Sequence, residues 1–135
     1  MKLTVLSVSG SVLSECQPSV SLVIKDEETG ETMISGMCSG KTLYDATCNA
    51  FSEILKSPLS ATSMLLDTEE GDNKWLLCIA TIYFRGQKLN GSCGSSKFKE
   101  WNELRVFVGA VIDALNTRRS RAYTMPFVPF HGTTW

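Results

Sequence analysis

The chain has 135 residues, 43% of them hydrophobic and 20% charged, with a formal net charge of −1. That length suits one domain with a buried core, and the near-zero charge supplies no bulk attraction to nucleic acid or to an anionic membrane. No apolar run approaches the roughly 18 residues of a membrane-spanning helix, so the expectation is a cytoplasmic protein with no membrane partner.

The opening segment MKLTVLSVSGSVLSE is broken by serines at short intervals and reads as a strand, not as a secretion signal. Residues 3–10 and 19–26, both rich in β-branched side chains, predict two strands with Gln17-Pro18 as the turn signal between them. Residues 26–30 predict a hairpin turn with Gly30 suited to positive φ, and 31–37 a returning strand. From Lys41 the period changes. Leu43, Ala46, Ala50 and Ile54, widened by Phe51 and Leu55, predict an amphipathic helix opened by Thr42 and Asp45 and ended by Pro58.

The second half follows the same plan. It predicts a strand over 61–66, a polar loop over 67–74, a long strand over 75–84, a turn at 85–87, a strand over 88–93 and a short loop at 94–96. Trp101, Leu104, Val108, Val111 and Leu115 then mark a second helix, closing near Asn116 with Arg118, Arg119 and Arg121 beyond it. Gly36 and Cys38 recur as Gly91 and Cys93 at one interval, each pair after a strand–turn–strand and before a helix. The chain is therefore expected to be α+β: two pseudo-symmetric βββα units, about 1–57 and 58–117, forming an antiparallel sheet with helices on one face. Residues 118–135 read as a tail.

The stretch ISGMCSGKT (34–42) approaches a phosphate-binding loop but is one residue short between Gly36 and Gly40. A corner that occurs twice needs no phosphate to explain it, so its glycines are read as architectural. His131 is the only histidine, which leaves no His-based catalytic dyad or metal cluster; no cofactor and no metal are expected. The five scattered cysteines lack CxxC spacing and read as reduced thiols. Cys38 and Cys93 raise the question of a nucleophile, because a helix N-terminus lowers a thiol pKa. Neither has an evident base, and both read as small residues filling a corner. The acidic runs 26–28 and 67–72 lack the ligand order of a calcium loop and read as solvated turns. Ligand binding at the corners remains. The turn 39–42 offers helix N-terminal amides to a carboxylate, and Leu43, Tyr44 and Thr47 an apolar wall, as an aliphatic amino acid would need. Simple packing of the same residues stays open beside it.

The run Gly36-Met-Cys-Ser-Gly40-Lys-Thr-Leu-Tyr-Asp45-Ala46, the ending Asp113-Ala114-Leu115-Asn116 and the opening SVSGSVLSECQPSVSLVIK together resemble the C-terminal regulatory and dimerisation domain of the alpha-isopropylmalate synthase family, which includes citramalate synthases. The resemblance covers about 2–117. It implies a non-catalytic domain that forms a homodimer and binds a branched-chain amino acid, leucine or isoleucine, for feedback control of a synthase domain carried separately. Carried over by position, it implies an effector site of Gly36, Cys38, Ser39, Gly40, Leu43, Tyr44 and Ala46, with Gly91, Cys93 and Gly94 at the equivalent corner. Two other readings compete. ATIYFRGQKLNGSCGSSKFKEWNE has the outline of a double-stranded RNA-binding module, with Lys97 and Lys99 at a helix start, but Glu100 and Glu103 oppose it and make nucleic acid the lesser partner. The other is a structural dimerisation domain with an empty corner.

Overall fold

In the computed structural model, which describes residues 2–12, 16–70, 73–96 and 103–124, the alternating apolar residues of the first half form β1 (Leu3–Ser11) and β2 (Ser19–Asp26), paired antiparallel. Val20, Leu22 and Ile24 are fully buried, and the residues between them turn away, the period-two pattern of a sheet covered on one face. The turn after β2 closes with the Gly30 N–H donating to the Asp26 carbonyl at 2.7 Å, Gly30 adopting φ 76° as its sequence position predicts.

The returning strand expected over 31–37 arrives in two pieces, β3 (Thr32–Ile34) and β4 (Cys38–Ser39), both paired with β2. Ser35 causes the break. It is buried, and its Oγ accepts the Leu22 N–H at 2.8 Å while its own N–H donates to the Leu22 carbonyl at 2.9 Å. One extra residue is thereby taken up between Ile34, opposite Val23, and Cys38, opposite Val20, which is a bulge. Helix α1 (Leu43–Leu55) follows, capped by Thr42 and closed by Lys56 in the left-handed conformation.

The second unit comprises β5 (Leu59–Glu70), β6 (Asn73–Phe84), β7 (Gln87–Ser96) and α2 (Glu103–Thr124). The turn between β6 and β7 shortens from the expected three residues to Arg85 and Gly86, both at positive φ (50° and 75°), which suits a two-residue hairpin. Two expected loops are strand. Residues 67–70 end β5 and 73–74 begin β6, in unbroken register from Leu59 opposite Phe84 to Glu70 opposite Asn73. The polarity of these residues does not mean loss of pairing. Gly94, Ser95 and Ser96 likewise continue β7, opposite Leu77, Leu76 and Trp75.

The architecture is α+β, as expected, with the strands in two antiparallel sheets in place of one. The first has the order β1-β2-β3 with β4 also on β2; the second has the order β5-β6-β7. Helix α1 packs on β2 and β4 and reaches β5, whereas α2 packs on β6 and β7 and reaches β1. The first strand of each unit therefore lies against the helix of the other, and one core joins both. The helices repeat closely. Ala46, Thr47, Cys48, Ala50, Phe51, Ile54 and Leu55 are buried in α1; sixty positions later Val106, Phe107, Val108, Ala110, Val111, Ala114 and Leu115 are buried in α2. Helix α2 continues to Thr124, so the division drawn at residue 117 falls within it. Among the described residues no helix is long and apolar enough to cross a membrane.

Candidate functional site

The first corner is built by a glycine that no other residue could replace in place. A Cβ on Gly40 would lie 2.5 Å from the Ala46 nitrogen and 2.7 Å from the Asp45 Cβ, so only glycine lets the chain pass across the first turn of α1. The Gly40 N–H donates to the Pro18 carbonyl at 3.1 Å, and Asn49 Nδ2 donates to the Ser39 carbonyl at 2.7 Å, fixing the turn to the sheet and to the helix. Thr42 Oγ1 accepts the Asp45 N–H at 3.1 Å. Leu43 and Tyr44 are half-buried and Ala46 is buried. The Tyr44 ring meets Phe107 of α2 edge-on, with centroids 4.8 Å apart at 86°, and its hydroxyl donates to Glu103 Oε2 at 3.3 Å. Ile34 and Met37 stand exposed beside the bulge.

Cys38 does not behave as a nucleophile at a helix N-terminus would. Its thiol donates to Glu53 Oε2 at 2.8 Å. Burial first, and then the Glu53 carboxylate as acceptor and as negative charge, push the thiol up from 9.0 to about 11. Cys38 is thus a protonated donor near neutrality. Glu53 is held below its ordinary value by the Cys38 thiol first and then by the Gly36 N–H, which donates to Oε1 at 3.4 Å.

Gly91, Cys93 and Gly94 do not form a matching corner, because β7 runs through all three. A Cβ on Gly91 would fall 2.2 Å from the Ala110 carbonyl oxygen and 2.4 Å from the Ala114 nitrogen, so this glycine lets α2 lie directly on the strand. Cys93 sits under Gly109, where a Cβ would be 2.5 Å from its sulfur. Burial and then Asp113 raise the Cys93 thiol as well. A Cβ on Gly94 would meet nothing closer than 3.7 Å. The structure therefore gathers Gly36, Cys38, Ser39, Gly40, Leu43, Tyr44 and Ala46 at one corner and places the other three along the strand beneath α2.

Two positions that shape the site escape a reading by residue type. Glu53 holds the edge of the bulge, and Asp113, sixty positions later, accepts the Ser92 N–H on the edge of β7 at 3.0 Å. Each acid ties the last strand of its unit to the helix that follows. The signal for them lay in the repeat, since both are the exposed position between the same buried pairs. Lys97, Lys99, Trp101 and His131 lie outside the described residues.

A cleft of about 470 Å³ opens elsewhere, between the end of α1 and the β6–β7 turn, lined by Ser57, Pro58, Tyr83, Arg85 and Lys88 among others. Arg85 lies over the Phe84 ring at 4.9 Å and donates to the Leu55 carbonyl at 3.3 Å, where positive charge suits the C-terminus of α1. None of the residues expected from the sequence lines this cleft. No family model matches the chain, and no curated protein matches it.

Proposed function

We propose that the chain is a non-catalytic regulatory and dimerisation domain of the cytoplasm, binding leucine or isoleucine at the corner between β4 and α1 and acting on a synthase domain carried separately. The observation that carries the reading is the duplication: two βββα units whose helices bury equivalent positions and whose Glu53 and Asp113 make equivalent strand-edge contacts. A duplicated unit is what the regulatory-domain resemblance implies, although a fold by itself is compatible with many functions. The effector carboxylate is assigned to the amides of the 41–43 turn, because the Gly40 amide is committed to Pro18. Leu43, Tyr44, Ile34 and Met37 supply aliphatic and aromatic surface.

A second reading is favoured by Asp45 and Glu53. Both are acids on α1, Asp45 in its first turn and Glu53 hydrogen-bonded to the bulge, and negative charge there opposes an incoming carboxylate. On that reading the chain is a structural dimerisation domain and the corner stays empty. Isothermal titration of the purified chain with leucine, isoleucine and valine decides between them. Saturable heat with leucine or isoleucine, lost in Tyr44→Ala, supports the effector site; no heat from any of the three removes it.

A further inference from the structure

Three of the four sheet edges carry a device that blocks pairing with another strand. The β1 register shifts between Val5 and Ser7, and Asn116 takes both the N–H and the carbonyl of Leu3. The β3–β4 edge is broken by the Ser35 bulge and held by Glu53. Asp113 accepts the Ser92 N–H on β7. Bulges and edge-directed acids of this kind prevent strand addition.

The β5 edge differs. Its first residues are covered by α1, with the Leu59 N–H donating to Ser52 Oγ at 2.9 Å and the Ala61 amide against the Cys48 sulfur. Both amides point away from β6, so Ser63 and Leu65, at the same strand parity, aim theirs the same way. From Thr62 to Asp67 the strand has no bulge, proline or lysine, and among the described residues no strand lies beyond it. Its outer face exposes Met64 (58%) and Leu66 (39%), beside Trp75 (51%).

We infer that this edge of β5 pairs antiparallel with the same edge of a second copy, about a two-fold axis at Leu65. The inference takes the dimer of the proposed function and gives it a surface. An antiparallel edge is complementary to itself about a two-fold axis, as an isologous interface requires. This register sets Met64 of each copy beside Leu66 of the other and Asp67 opposite Ser63, keeping the two Asp67 carboxylates apart. Only the residues from Thr62 to Asp67 take part on each side, against the roughly 20–30 of a standard stable interface, so the dimer is concentration-dependent.

Sedimentation of the full chain over a concentration series tests it, with Met64→Lys as the variant and Leu6→Lys, at an exposed position of β1 on the other sheet, as the control. Wild type and Leu6→Lys rise to twice the chain mass at high concentration, and Met64→Lys stays at the single mass with an unchanged melting temperature. A dimer that survives Met64→Lys overturns the β5 surface and leaves the dimer reading standing. A wild-type chain that is monomeric at its highest soluble concentration overturns both the surface and the dimer. Leucine titration of the same samples separates either outcome from loss of the effector site.

Discussion

The Cys38 thiol donates to the Glu53 carboxylate across 2.8 Å, tying the bulged last strand of the first unit to the last turn of α1. Replacing Glu53 with glutamine removes the negative charge and the carboxylate acceptor, two of the three causes that raise this thiol. Glu53→Gln therefore lowers the Cys38 pKa and speeds its alkylation by iodoacetamide at mildly alkaline pH by several-fold. Peptide mapping against Cys16, which is exposed, provides the reference; an unchanged ratio would show that burial alone governs the thiol.

Gly36 and Gly91 occupy the repeated sequence position but face opposite constraints. Gly91→Ala drives a Cβ into the α2 backbone and costs about 3 kcal/mol or more in chemical denaturation. Gly36→Ala meets only Glu53 Oε1 at 3.8 Å and changes stability by less than about 0.5 kcal/mol. Equal losses at the two sites would contradict the geometry.

Tyr44 joins the N-terminal turns of the two helices. Tyr44→Ala forfeits the edge-on contact with Phe107 and costs about 2 kcal/mol. Tyr44→Phe loses only the 3.3 Å bond to Glu103 near the surface and costs about 0.5 kcal/mol. Thermal melts of the pair separate packing from the hydrogen bond.

Cys38, Cys48 and Cys78 are each pushed from 9.0 to about 11, with burial the largest cause in every case. The folded protein then holds more protons than the unfolded chain between those values. Stability is fully present below pH 9 and falls as pH rises toward 11. Melting temperature measured from neutral pH upward in the presence of a reductant should show that decline, and Cys78→Ala should make it shallower. A flat profile to pH 11 would refute the assignment.

Much of the chain was legible because side-chain period survives tertiary packing. The stripe Leu43, Ala46, Ala50, Ile54 became the inner face of α1, and Val20, Leu22, Ile24 the inner face of β2. Polarity misled at 67–70, 73–74 and 94–96, where small and charged residues belong to strand ends whose pairing is carried by the backbone. Ser35 was invisible for a related reason: a buried hydroxyl that accepts a backbone N–H has no periodic signature. Of the expected site residues, Gly36 through Ala46 assemble because they are contiguous. Gly91, Cys93 and Gly94 went elsewhere because β7 continues beyond them, with residues 97–102 between that strand and α2.

Asn116 of the last helix holds both backbone groups of Leu3, at 2.7 and 3.0 Å, across 113 residues of chain. A ribosome therefore releases Leu3 long before its clamp exists, and the nascent chain must carry that strand's margin unsealed until α2 has emerged.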